Sequence, residues 1–425
     1  MLHAQNMFHC YVSDTYLNPF FEQPPLSMIL QSQLLRITND VFFADRLFGY
    51  LAFMITLLSL FRIAKLFSNS ITNAYLPLFF LMMIPVVDWS YKNGMLENWM
   101  CAFTTLSSYF LLSNMVSDKP RKMFVLYASI FIVSAFLTKG FTGLFPLAIP
   151  FIYHLVFNNK WKSAILDSLK LILVTGVILM LTFMLFPELK KYFVAYFNKQ
   201  VLSSLEGNRE LDGHFFILKR VPQELIPLFI ITILVFAISH YKYKLKMKEV
   251  KYKKYVMFFL LITLSGSLPV MVSPKQSGYY VLCSYPFFAL FFSALLNDRI
   301  QLLRAMFLTE SRQEKLKIVS AIVIAVSIIL SIVNYGSYYR DKEKIQLVED
   351  VSNQLKGEKK ILIDWNLQTD YSLKCYFYRR DFISVYTPNF NWVKAHYYLS
   401  AEILAEKKLV KKYVVDHRDL FLYQN

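Results

Sequence analysis

The sequence predicts a mainly α, polytopic membrane chain that ends in a small α/β domain outside the bilayer. Three observations carry that reading. Apolar runs recur along the first 335 residues, basic residues crowd into alternate loops between them, and from about residue 336 the pattern changes to short strands. The composition agrees, being 56% hydrophobic, 17% aromatic and only 18% charged over 425 residues. A net charge of +17 would suggest nucleic acid in a soluble chain. Here the cations lie in short loops between apolar runs, so nucleic acid is set aside as a partner. The four cysteines, Cys10, Cys101, Cys283 and Cys375, show neither metal-ligand spacing nor a disulfide framework and read as small buried side chains.

The first element is the stretch "NPFFEQPPLSMILQSQLLRI", Asn18 to Ile37. Pro24 pushes Gln23 towards extended geometry, and Pro25 suits the first turn of a helix, where a missing donor costs little. The segment therefore reads as an extended strand turning into a helix, with Glu22 held at the junction. Ten apolar runs follow as candidate spans: 42–67, 75–87, 95–115, 123–137, 141–157, 164–186, 223–240, 255–272, 279–296 and 318–334. The longest would measure ~39 Å as a helix, enough to cross a ~30 Å core with tilt. No internal repeat or broken helix near a midplane is visible.

Loop charges set the orientation. One set of loops carries Arg62 and Lys65; Lys119, Arg121 and Lys122; Lys160 and Lys162; seven lysines in "HYKYKLKMKEVKYKK"; and five basic residues between Asn297 and Lys317. The short loops of the other set carry one each, Lys92, Lys139 and Lys275. The first set is expected inside, which places 1–40, 187–222 and the tail outside, in a bacterial periplasm beyond the inner membrane. An exported first segment with no signal peptide or span of its own leads to the expectation of one more helix upstream of Met1. The domain division expected is 1–335 for the membrane part and 336–425 for the tail. Within the tail, "KKILIDWN", "CYFYRRDFISVYT" and "KKYVVDHRDLFLYQ" read as strands and "WVKAHYYLSAEILAEKKLV" as a helix.

Unusual polar residues collect on the outer face. Glu22 precedes the Pro-Pro turn, Glu97 lies in "YKNGMLENWMCAF", and Lys139 in "FLTKGFTGLFPL". Arg209, Glu210, Asp212 and His214 share the 187–222 loop, while Lys275, Tyr279 and Tyr280 lie in "SPKQSGYYVLCSYP". Lysines at helix ends also serve as snorkelling anchors, and tyrosines as an aromatic belt. Glu97 is harder to account for structurally, because an ionisable group at a span centre costs roughly 2.5–3.5 kcal/mol on insertion scales. Together these groups suit transfer from a lipid phosphate to a hydroxyl: a carboxylate can accept the proton, and Arg and Lys can hold the phosphate, with Lys275 and Tyr279 as candidates beside it.

"NPFFEQPPL", "GMLENWMCAF", "LTKGFTGLFPL" and "SPKQSGYYVLCSYP", in that order over roughly residues 1–300, resemble motifs of the GT-C membrane glycosyltransferases, in the protein-mannosyltransferase and lipid A aminoarabinose-transferase group. The resemblance implies a GT-C-like membrane domain and a sugar donor on a polyprenyl phosphate, with inverting transfer to a lipid, glycolipid or protein hydroxyl on the outer leaflet. It implies catalytic roles for Glu97 and Glu22, donor-phosphate contacts from Lys139 and Arg209, and a cavity lined by Gln23, Pro24, Pro25 and His214. It also implies a first acidic residue in an Asp-Glu motif, which is expected a few residues before Met1. A divalent metal remains open as a cofactor, although no dense ligand cluster demands one. Two rivals stand beside the enzyme: a lipid or sugar transporter or flippase, and a non-catalytic member lacking the first acidic residue.

Overall fold

Pro24 and Pro25 are both buried, and a helix opens immediately after them. This helix, α1 (Leu26–Thr38), begins with a 2.9 Å bond from the Ile29 N–H to the Pro25 carbonyl, the junction expected of two rings that fix φ and offer no donor. The structure, a computed structural model, describes residues 21, 23–38, 40–68, 70–158, 160–202, 215–244, 252–272, 276–305, 310–334, 341–388 and 394–424. The described residues fall into two compact units. One comprises Phe21–Ile37 and Phe43–Thr309; the other comprises Thr38–Phe42 and Glu310–Asn425.

The first unit is helical. After α1 come α2 (Val41–Leu66), α3 (Ile71–Met82), α4 (Pro85–Lys92), α5 (Leu96–Val116), α6 (Lys122–Lys139), α7 (Ile149–Tyr153), α8 (Trp161–Leu185), α9 (Leu189–Tyr196), α10 (Phe216–Glu224), α11 (Ile226–Tyr243), α12 (Lys253–Ser267) and α13 (Tyr285–Ala305). Short 3-10 segments, Phe141–Ala148 and Gly278–Ser284, lead into α7 and α13. Among the described residues, six stretches are long and apolar enough to cross a membrane: Phe43–Leu66, Lys122–Lys139, Phe141–Asn158, Trp161–Leu185, Lys253–Met271 and Gly278–Arg304. The chain is a multi-pass membrane protein.

Among the described residues, two further helix pairs are apolar enough to cross only when taken together, and each is sharply bent. Asn73–Met82 and Pro85–Lys92 meet at 73°, and Phe216–Glu224 and Ile226–Lys242 at 53°. This corrects the reading of 75–87 and 223–240 as plain spans. Pro85 cannot supply the N–H that would continue α3, so the chain restarts there with proline at the head of α4.

Helix α5 is long enough to span, at ~31 Å, yet too polar to be counted with the six apolar stretches. Its Glu97, Asn98, Thr104, Thr105, Ser107 and Ser108 are all buried inside the protein. The hydroxyls of Thr104, Thr105 and Ser108 donate to carbonyls one turn back at 2.7–2.9 Å, and Ser107 donates to the Ala128 carbonyl of α6 at 3.0 Å. The Ser107 bond ties α5 to α6, which form an antiparallel hairpin about the 117–121 turn.

The second unit holds α14 (Glu310–Val333), which carries a shorter apolar stretch, Lys317–Val333. It also holds α15 (Lys342–Gln354), α16 (Tyr371–Asp381) and a five-stranded sheet, ordered β2-β1-β3-β5-β4. Strands β1 (Lys360–Ile363), β2 (Ser384–Tyr386) and β3 (Tyr397–Ser400) run parallel; β5 (Arg418–Gln424) lies antiparallel to β3 and β4 (Lys408–Val415). The α/β tail is as expected in class and different in detail. "CYFYRR" is helical, because Asp370 caps α16 by accepting the Leu373 N–H at 3.0 Å. The segment expected as one helix over 392–410 supplies β3 and the start of β4, since Tyr398 and Leu399 are buried between β1 and β5. "KKYVVDHRDLFLYQ" is two strands, joined by Asp416 and His417 with φ of 51° and 63°, the signature of a tight hairpin.

Asp350 of α15 ties the helix to β4, accepting from Lys411 Nζ at 2.7 Å and Tyr413 Oη at 2.6 Å. The Lys411 bond, followed by that from Tyr413, holds the Asp350 carboxyl below the usual carboxylate range. A depressed folded-state pKa stabilises above the unfolded value, ~4, and loses that contribution as pH falls through the folded value. Resistance of the tail to pulsed proteolysis in urea is therefore expected to fall between pH 5 and pH 3. Asp350→Asn should remove part of that dependence, about 0.2–1 kcal/mol for a pair this exposed.

Candidate functional site

A hairpin of two helices of similar length places the first turn of α5 beside the last turn of α6. Glu97 lies in that first turn and Lys139 is the last residue of α6, so each sits at the helix end whose dipole favours its charge. They meet. Lys139 Nζ is 2.5 Å from Glu97 Oε1, with Glu97 1% and Lys139 19% exposed at the side chain. The ammonium also lies 5.0 Å from the centre of the Tyr280 ring, a cation–π contact, and Tyr280 stands edge-on to Tyr279 at 5.0 Å. Tyr279 in turn faces Trp89 of α4 at 5.7 Å.

The residue after Lys139 has to be glycine. Gly140 has φ +83°, and a Cβ there would fall 2.2 Å from the ring and hydroxyl of Tyr196. Its N–H closes α6 on the Phe136 carbonyl at 2.7 Å. Tyr196 ends α9, and one turn earlier Tyr192 packs edge-on against Phe21 at 4.8 Å. The segment before α1, the Lys-Gly corner and the helix after α8 therefore converge on one end of the unit.

A second carboxylate works at the helix breaks. Glu224, 4% exposed, ends α10; its Oε2 accepts the Val86 N–H of α4 at 2.9 Å, while its Oε1 pairs with Arg220 at 2.5 Å. One break thus supplies the acceptor that the other break needs. Arg220 packs along Gly278, where a Cβ would lie 3.1 Å from its side chain, and Gln276 accepts the Ile217 N–H at 2.9 Å. Sequence reasoning missed Glu224 and Arg220. The signal was an Arg and a Glu four residues apart at the head of an apolar run.

Of the residues singled out by sequence, Glu97, Lys139 and Tyr279 come together around Tyr280. Gln23 is half-buried, and its Oε1 is enclosed with no hydrogen-bond partner among the described residues. Pro24 and Pro25 shape the start of α1. Glu22, Arg209, His214 and Lys275 lie outside the described residues. Among the described residues, no three His, Cys, Asp or Glu side chains are grouped to hold a metal ion.

Helical spans with a polar α5 held against α6, and a small α/β tail, make up a GT-C-like fold. Residues 22–186 match the dolichyl-phosphate-mannose-protein mannosyltransferase family. The whole chain is similar to the crystal structure of ArnT from Cupriavidus metallidurans bound to undecaprenyl phosphate, with TM-score 0.62 and 15% identity over 98% of this chain and 91% of that one. It is also similar to ArnT from the same organism in the apo state, with TM-score 0.56, 15% identity and the same coverage. No curated protein sequence matches. The resemblance drawn from the four motifs stands on these findings.

Removing the lysine alone leaves a carboxylate buried without its cation. Lys139→Met is expected to cost about 3–5 kcal/mol of stability, seen as a lower thermal midpoint in detergent. Lys139→Met with Glu97→Gln should recover most of that loss. Gly140→Ala should destabilise on its own, and Tyr196→Ala should relieve the steric part but not the backbone strain.

Proposed function

We propose that the chain is a membrane glycosyltransferase that moves a sugar from a polyprenyl-phosphate donor to an acceptor hydroxyl of a lipid, glycolipid or protein. The observation that carries the reading is the Lys139 ammonium: anchored by buried Glu97, seated over Tyr280, and still partly open. One of its three N–H groups serves Glu97. The others have no hydrogen-bond partner among the described residues and can donate to a phosphate oxygen. The fold shared with a structure bound to undecaprenyl phosphate supports a polyprenyl phosphate as the partner.

In the reaction, the bond between the anomeric carbon and the phosphate oxygen breaks, and negative charge grows on the departing phosphate. A fixed cation in a water-poor setting stabilises that charge without reorganising. The acceptor oxygen bonds to the anomeric carbon from the opposite face, inverting it, and its proton passes to a carboxylate. Glu97 is not that acceptor in this reading, because it is enclosed and already engaged by Lys139. It positions the lysine. Glu22, which precedes Gln23 in the sequence, is the candidate base within the chain. The basic loops support an orientation with this end of the unit outside a bacterial inner membrane, facing the periplasm.

The test uses the protein in nanodiscs with undecaprenyl phosphate as the probe. The fold-restored double variant, Lys139→Met with Glu97→Gln, should bind at least about tenfold more weakly, the loss expected when a charge-assisted bond worth ~1.5–3 kcal/mol is removed. Wild-type binding by that variant would overturn the assignment of the phosphate to Lys139. Failure of the wild-type protein to bind undecaprenyl phosphate, or to release it from a polyprenyl-phosphate sugar, would overturn the enzyme reading itself.

A further inference from the structure

The other end of the α5–α6 hairpin encloses a cavity of about 350 Å³, within the size range of small-molecule sites. Since α5 is ~31 Å long, this cavity lies about one bilayer core away from Glu97 and Lys139. Its floor is apolar, with Leu111, Val125, Pro150 and Leu171. Its mouth is polar and built around a π-helical turn, His154–Asn158, a local geometry that recurs at functional sites. His154 joins Asp167 Oδ2 at 2.9 Å through Nε2 and Asn158 at 3.0 Å through Nδ1, so the carboxylate in the wall is engaged by the ring.

Two donors in the wall are unused. Asn114 accepts the Arg121 N–H at 2.7 Å through Oδ1, which leaves its amide N–H groups without a partner among the described residues. Lys170 lines the cavity and makes no ion pair among the described residues. Lys119, Arg121 and Lys122 follow in the turn between α5 and α6, and Lys160 and Lys162 at the head of α8. Asp118 is the acidic residue in that turn. An apolar floor, free N–H donors and a basic rim at the end of a membrane helix pair match the chemistry of a lipid phosphate whose chains stay in the bilayer. Basic pockets between spanning helices bind such head groups.

We propose that this cavity binds the phosphate head group of an anionic membrane lipid, in the leaflet opposite the Glu97–Lys139 end. Asn114 and Lys170 donate to the phosphate, and the rim lysines and Arg121 raise its local concentration. The assignment stands independently of the glycosyltransferase reading.

Native mass spectrometry of the full chain, released from phosphatidylcholine nanodiscs with and without one-fifth phosphatidylglycerol, tests it. The wild-type protein is expected to retain phosphatidylglycerol in preference to phosphatidylcholine. Lys170→Met and Asn114→Leu should each lower that retention about fivefold, the scale of one basic contact at an anionic surface. Thermal midpoints near the wild-type value confirm that both variants are folded. A Lys190→Met control, in α9, should retain the lipid as the wild type does. Equal retention by wild type, Lys170→Met and Asn114→Leu would overturn the proposal. Release of the lipid by a few millimolar inorganic phosphate would identify free phosphate as the occupant and overturn the lipid assignment.

Discussion

A charge or a backbone polar group surrounded by apolar protein and lipid must find its partner inside the protein, and that constraint decides where this fold can bend and where it can be polar. Glu97 is tolerated because the hairpin brings Lys139 level with it. Glu224 is tolerated because it has two tasks, one for the Arg220 guanidinium and one for the Val86 N–H exposed where α3 breaks into α4. Gln276 does the same for the head of α10 through the Ile217 N–H. The break near Pro85 therefore depends on the break near Leu225, where Glu224 supplies the acceptor for the Val86 N–H.

The pairing also shapes the chemistry available. An ion pair taken out of water costs several kcal/mol per ion before its attraction is counted, so it is poor evidence of stability by itself. Its value lies in geometry. Glu97 is enclosed and Lys139 is partly open, so the carboxylate acts as a fixed base plate and the ammonium as the exposed surface. Tyr280 limits the lysine from the other side. The end of a flexible four-carbon stem is thereby held between a carboxylate and an aromatic ring.

Much of the membrane fold was legible because apolar runs and basic loops obey short-range rules that the lipid enforces. Glu97 and Lys139 were legible as unusual residues, but their contact was not. It depends on the register of α5 against α6, which Ser107 and Ala128 help to set and which no local pattern records. The broken spans were misread for a related reason: hydropathy sees the apolar run on either side of Pro85 and Leu225 and is blind to direction. In the tail, Tyr397–Ser400 looked helical within a longer run, yet pairing with β1 on one side and β5 on the other overrode local preference. Asp370 as a cap and Asp416-His417 as a hairpin turn were readable signals that the longer strand assignments obscured.

The polarity of α5 also constrains how the protein is made. A helix carrying Glu97, Asn98 and a ladder of buried hydroxyls is a poor candidate to leave an insertion channel alone, whereas α6 is apolar along most of its length. Once the 117–121 turn has formed, Lys139 pairs with Glu97, and the hydroxyls of Thr104, Thr105 and Ser108 already have carbonyl partners within α5. The two helices then present lipid with a largely neutral, internally bonded pair. Biosynthesis of this chain therefore favours entry of α5 and α6 together, with the polar member sheltered by the one translated after it.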